Sequence, residues 1–542
     1  MSATLKYQPI TNSRTIDRLL FAGAVFVGCL TILATFLHAS DGDLHFFFTS
    51  DTLYLPSIYR DIFIDGGHLS DWWLNAAPNF FPDMGLYFLL HWLLDSFIVT
   101  SYVYPMVQFA MISLLFRSIC RESGMVIGDR HITLGVLLLS LVVITGLWGA
   151  DFGFAFQLLV NSWHVGAFVN TLLCTWLLLR VFSGQSKWRL VPLALAIMAG
   201  ATSDKLFWVM FSIPATVSCG LLARQVSVRW LAVTSAVVIA TFTWAADLAL
   251  KSLDDAWPLM IERPYQYMAF ERIGFSWGKF LDMLREYLTA HFLTAFLFAL
   301  GLLVMCWAIV RGWLVLRLWI RAAAGTDPRP SLVYWMMAMF FPFVLLVPVA
   351  SGSFDGLDSL RYDFAVFILA PLVAGVGLAQ WAGRRSRLLV VSVTCLIGLP
   401  SLWVCISSGD EYHLIAHFKP ERVVTMDRMA KEFHLTNGIA NYWDAKLITM
   451  FSEEDVFVMP VFPDLGVYLH VNREAMFYSS AGKQQDPLMF DFVIMDRDLN
   501  NENMTRMLGG ETSIRARDGI EVLTTEPWSF DPATRRPRGA GR

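Results

Sequence analysis

The sequence predicts an all-α polytopic membrane protein with about 11 transmembrane helices, followed by a small soluble α/β domain at its C-terminus. Apolar residues make up 56% of the chain and charged residues 16%, with a mean hydropathy of +0.52, which is outside the range of an ordinary soluble domain. Apolar stretches long enough to cross a bilayer recur as far as about residue 406. Beyond that point short apolar runs separated by polar turns take over.

The spans are expected near 19–37, 97–116, 132–150, 164–182, 190–203, 206–223, 230–248, 291–310, 331–350, 364–382 and 388–406. The first is longer than a signal-peptide core and lacks a small-x-small cleavage site, so it is expected to be retained. Apolar character runs from 84 to 116 but is interrupted by His91 and Asp95, which predicts a surface-lying helix followed by a true span from Phe97. Basic residues gather in alternate loops, at Lys6, Arg14 and Arg18, then Arg117, Arg121 and Arg130, and later Arg311, Arg317, Arg321 and Arg329. The intervening loops are acid-rich, with Asp41, Asp43, Asp51, Asp61, Asp65, Asp71 and Asp83 in the first. By the positive-inside rule the N-terminus is cytoplasmic and the C-terminal domain lies on the other side.

This divides the chain into a transmembrane domain, 1–406, with outer loops 38–96 and 249–290, and a soluble domain, 407–542, that ends in a disordered RRPRGAGR tail. The runs AKLITMF, DVFVMPVF, FDFVIMD and IEVLTT read as strands and VVTMDRMAKEF as a helix. The soluble domain has no Gly-rich phosphate loop, nucleophile elbow or HExxH. Its expected role is to cover a membrane site or to bind an acceptor. A net charge of −4 with no basic stripe on a soluble face speaks against nucleic acid as a partner. The seven cysteines fall almost entirely in apolar helices without metal-ligand spacing and are read as core residues.

The chemistry-bearing residues concentrate in the acidic first loop, within HFFFTSDTLYLPSIYRDIFIDGGHLSDWWLNAAPNFFPDMGLYFLLHWL. This segment resembles the first outer loop of GT-C glycosyltransferases that use polyprenyl-phosphate sugars, such as aminoarabinose transferases and protein mannosyltransferases. Asp51 matches the acid of the family's Asp-Glu pair, Tyr54 its aromatic follower, Gly66-Gly67-His68 the turn, and Phe80-Phe81-Pro82-Asp83 the step into a membrane helix. Thr52 stands where the family has Glu, and Asp83 follows Pro82 where a Lys usually precedes it. Two later segments extend the likeness. AIMAGATSDKLFWVMFSIPA is similar to a short helical hairpin with a Lys, here Lys205, at its tip, and LDSLRYDFAVFILAPL is similar to the Arg-Tyr-x-x-x-Pro opening of a late helix.

The resemblance implies an inverting sugar transfer from a polyprenyl-phosphate donor to an envelope glycan, lipid or protein acceptor, at the outer face of a bacterial inner membrane. Asp51 would be the base, Arg361 and Lys205 would hold the donor phosphate, and Tyr54, Asp83 and Tyr362 would contact substrate. Independently of any family, such a transfer needs a proton acceptor for the incoming hydroxyl and cations for the departing phosphate. Glu271 and Arg272 sit in an aromatic loop suited to a sugar or to the membrane interface, and Asp41-Gly42-Asp43 has the spacing of a divalent-cation pair without a third ligand. Plainer readings stand beside these. Asp51 could cap the next helix, Lys205 could pair with Asp204, and Arg361 could pair with Asp358 or Asp363. Competing functions are a transporter or flippase of a lipid-linked substrate and a glycan ligase that uses a lipid pyrophosphate.

Overall fold

The computed structural model describes residues 11–148, 155–161, 163–184, 186–256, 260–261, 269–289, 292–321, 327–356, 359–478, 488–500, 504, 507–508 and 512–537. The chain opens with the long apolar helix α1 (Thr11–His38) and the short α2 (Asp41–His45). Ser40 caps α2: its hydroxyl accepts from the Asp43 amide while the Asp43 carboxylate accepts from the Ser40 amide. After α3 (Tyr54–Phe63) come α4 (Gly85–Leu94) and α5 (Phe97–Glu122). The long apolar run breaks at Asp95, which ends α4 with φ 50°, and at Ser96, whose hydroxyl caps α5. Asp95 is therefore a helix-ending residue.

The bundle continues with α6 (Asp129–Trp148), α7 (Ala155–Leu159), α8 (Val165–Gly184), α9 (Leu190–Ser203), α10 (Ile213–Leu222), α11 (Arg229–Ala256), α12 (Ile273–Thr289), α13 (Phe292–Arg321), α14 (Arg329–Ala350), α15 (Leu360–Ala382) and α16 (Ser386–Ser407). Among the described residues, seven segments are long and apolar enough to cross a membrane: Thr15–His38, Phe97–Glu122, Val165–Gly184, Arg229–Leu253, Thr294–Leu318, Arg329–Ala350 and Leu360–Ser407. The last takes in both α15 and α16. The stretch expected at 190–203 forms α9, of 14 residues, and that at 206–223 forms a continuous apolar helix, Trp208–Leu222, that includes α10; both are shorter than the about 20 residues of a full crossing.

Helices meet closely where small residues allow it. α6 packs on α1 and α15, and a Cβ on Gly135 would lie 2.5 Å from the Leu372 carbonyl while one on Gly375 would strike the Gly135 backbone. In lipid, where apolar burial gives little drive between helices, such close backbone approach supplies the packing.

Strands first appear outside the bundle. β1 (Trp73–Leu74) pairs in parallel with β2 (Met260–Ile261), joining the two long loops. After α17 (Glu411–Ala416) and α18 (Glu421–Phe433) the C-terminal domain forms a five-stranded mixed sheet from β3 (Asn437–Ala440), β4 (Phe457–Pro460), β5 (Phe490–Ile494), β6 (Thr512–Arg517) and β7 (Ile520–Trp528). Its order is β4-β3-β5-β7-β6, with β3 parallel to β4 and β5, and β7 antiparallel to β5 and β6. The crossover from β3 to β4 is α19 (Tyr442–Phe451), as parallel neighbours require.

α19 corrects the sequence reading, because it contains AKLITMF, expected to be a strand. Asn441 caps it by accepting from the amides of Trp443 and Asp444, and Ala445, Ile448 and Phe451 bury a helix-spaced face. The runs at 457–460, 490–494 and within 520–528 are strands, and the helix expected around 423–433 is α18.

Candidate functional site

The first loop and the C-terminal domain are locked together. Asp61, fully buried, accepts from Trp72 Nε1 at 2.7 Å and from Arg473 Nη1 at 2.8 Å. Arg473 also reaches Asp71 at 3.2 Å, and the Trp73 amide donates to the Asn472 carbonyl at 2.9 Å. Phe48 stacks on Phe418 and meets Phe451 edge-on, which carries the Thr49–Asp51 turn against α19.

Asp51 lies in that turn. It does not cap α3, whose N-cap is Leu53 without a side-chain bond. Its carboxylate accepts from the Tyr442 hydroxyl, and Ser50 Oγ donates to the Tyr442 carbonyl. Asp51 borders a cavity of about 390 Å³ whose other walls come from the C-terminal domain, among them Tyr442, Trp443, Phe462, Tyr468 and Asp496. Behind it, Lys446 is buried and donates to the Val471 carbonyl at 2.6 Å. Burial pushes the Lys446 ammonium down to about 7, against the opposing pull of the Asp51 charge. Tyr442 and Lys446 escaped the sequence reading, being nearly four hundred positions from Asp51, with Lys446 in a run taken for a strand and Tyr442 just before it. Tyr54 is 1% exposed, its hydroxyl donates to the Pro78 carbonyl, and it packs with Tyr87 and Tyr104, so it supports the loop from within the core.

A second cluster forms where the loop meets the helix ends. The Phe81 amide donates to Ser203 Oγ, the Asn79 amide to the Ser203 carbonyl, and Asn170 Nδ2 to the Phe81 carbonyl. This docks the Asn79–Asp83 segment on the C-terminus of α9 and on α8. Asp83 is buried, accepts from the Tyr104 hydroxyl at 2.5 Å, and sits directly against Gly166, where any Cβ would overlap its carboxylate. Asp204 does not pair with Lys205. Its Oδ2 lies 2.6 Å from His164 Nδ1, and its Oδ1 accepts from the Leu206 amide. The His164 ring stands 5.3 Å from the Tyr362 ring, and Arg361 donates to the Tyr362 hydroxyl at 3.2 Å. Lys205, at the tip of the α9–α10 hairpin, is 3.8 Å from Asp247, which also pairs with Lys251.

Asp204 is thus connected through His164 to Tyr362 and Arg361. His164 was missed, and Asp204 was read as a partner for Lys205, because nothing in their local sequence marks a pair forty positions apart. Asp363, named as a surface partner for Arg361, is instead fully buried, and Asp358 lies outside the described residues. Glu271 and Arg272 occupy an exposed turn, tied through the Ala269 amide to the Ser351 carbonyl, with Arg272 over the Phe275 ring at 5.4 Å. Asp43 is engaged in its capping box, and the Asp41 side chain lies outside the described residues. Among the described residues, no group of three or more His, Cys, Asp or Glu side chains is arranged to hold a metal ion.

No protein-family model matches this chain, and no curated protein matches it. What it can do follows from two settings: a carboxylate at an aromatic cavity, and Arg361 on Tyr362 beside the His164–Asp204 pair, with Lys205 held near Asp247.

Proposed function

We propose that the protein is an inverting glycosyltransferase of the GT-C type that transfers a sugar from a polyprenyl phosphate to an envelope glycan, lipid or protein. In this reading it has about 11 membrane segments, with α9 and α10 counted as a short hairpin that enters the bilayer without crossing it, a cytoplasmic N-terminus and its C-terminal domain on the outer side of a bacterial inner membrane. The acceptor hydroxyl attacks the anomeric carbon as its proton passes to Asp51. The bond from that carbon to the phosphate oxygen breaks, and polyprenyl phosphate leaves with the electron pair. Arg361 offers a planar fork to the phosphate oxygens, Lys205 a compact charge, and His164 a further donor when protonated. Tyr362 orients Arg361, and Asp83 holds the loop against α8.

The observation that carries this reading is the Asp51 carboxylate at a cavity shared by the first loop and the C-terminal domain, in a chain whose acids gather on that side. General-base assistance of this kind contributes about 10²–10⁴-fold. The test incubates purified protein with a panel of polyprenyl-phosphate sugars and an envelope fraction, and measures the released lipid. Release of polyprenyl phosphate supports the proposal. Release of a lipid pyrophosphate from pyrophosphate-linked glycans, with none from the panel, replaces it with a ligase.

A further inference from the structure

The cavity at Asp51 is walled by aromatic rings as well as acids. Trp443 is 58% exposed and Phe462 45%, a large loss of favourable burial for side chains flanking a concave surface. Tyr442 and Tyr468 stand 5.2 Å apart between them, and Tyr468 packs on Phe462 at 4.6 Å. The ring array is held from behind. Asn441 caps α19 and donates to Asp496 at 2.6 Å, while Asp496 accepts from the amides of Asp498 and Leu499. The acid-bearing loop and the aromatic helix start are therefore fixed to each other, and the wall is preformed.

Its fixed charge is acidic: among the described residues, Asp51, Asp496 and Asp498 line the cavity together with His470, and none of those lining it is Lys or Arg. A volume of about 390 Å³ accommodates one or two sugar rings. Aromatic faces flanked by carboxylates suit the apolar face and the hydroxyls or ammonium of a neutral or amino sugar, and they repel carboxylate or phosphate substituents.

We propose that this cavity is the acceptor subsite, built chiefly by the C-terminal domain, and that it takes a neutral or amino-bearing saccharide end and rejects an anionic one. The inference rests on the glycosyltransferase reading for the word acceptor, but saccharide binding itself is tested without turnover.

The experiment uses the full chain in a sugar-free zwitterionic detergent, titrated by calorimetry with methyl β-glucoside, methyl β-glucosaminide and methyl β-glucuronide. Binding of the first two with at least about a tenfold preference over the glucuronide is expected. Trp443→Ala is expected to weaken binding about tenfold or more, with Trp443→Phe retaining most of it. Asp496→Asn and Asp498→Asn are expected to narrow the preference for glucosaminide over glucuronide. A glucosaminide carried on a long alkyl chain binding more tightly than the methyl form would assign a lipid-borne acceptor, and equal binding a water-soluble glycan. Glucuronide binding as well as the others, or Trp443→Ala binding unchanged, overturns the inference. Saccharide binding without any polyprenyl phosphate release would leave the subsite standing and remove the transferase reading instead.

Discussion

Asp51 and Arg361 stand in differently built settings. The loop that carries Asp51 is held by residues far along the chain, through the Tyr442 hydroxyl on Asp51, the Asp61–Arg473 pair and the Phe48–Phe418 stack. In the other setting Arg361 donates to Tyr362 on α15, whose ring meets that of His164 before α8, itself paired with Asp204 after α9. The first setting depends on a domain staying docked, whereas the contacts described for the second lie within the helical bundle. Perturbing the docking should therefore disable the Asp51 side and leave the Arg361 side assembled.

The largest effect is expected from Arg473→Met. It leaves Asp61 buried without its charge partner, a loss of about 3–5 kcal/mol, whereas adding Asp61→Asn should recover part of it. Thermal unfolding and limited proteolysis near residue 407 read this out, and an unchanged profile would separate docking from the ion pair. Next comes Arg361→Gln, expected to lower polyprenyl phosphate release about 10²–10³-fold with a smaller stability loss than Arg473→Met, because it gives up the bond to Tyr362 without stranding a buried charge. A stability loss as large as that of Arg473→Met would erase the contrast between the two regions.

Lys446 gives a smaller, pH-dependent effect. Its folded pKa of about 7 lies below the usual lysine value of 10.5, so between these the unfolded chain binds the extra proton and stability rises with pH. The cost of burying the charged form is complete below about pH 7 and is relieved toward pH 10.5. Lys446→Met should flatten that rise relative to wild type, and identical pH profiles would show that Lys446 is not buried as described. The smallest effect is expected from Asn441→Ala, which removes the cap of α19 and should cost about 1 kcal/mol in domain unfolding.

The same comparison explains what could be read from the sequence. The helical bundle was legible because hydropathy over about 20 residues is a strong signal, and the break at Asp95 because a charged residue interrupted it. Asp51, Lys205 and Arg361 could be nominated because each sits in a segment with local pattern. Tyr442, Lys446, Arg473 and His164 could not, nor could the pairing of Asp204 with His164, since their relevance arises from contacts between distant segments. AKLITMF was misread because a short apolar run is compatible with strand or helix, yet Asn441 three residues before Asp444 was an available N-cap signal. The metal reading of Asp41 and Asp43 competed with a local helix cap, and Asp43 is engaged in that cap.

The most direct test of the central claim compares polyprenyl phosphate release by wild type and by Asp51→Asn, matched for thermal stability, on a donor the wild type accepts. The account predicts a loss of about 10²–10⁴-fold in the variant, as removal of a general base requires. Equal rates in the two proteins would contradict it and move the proton acceptor away from the cavity under the C-terminal domain.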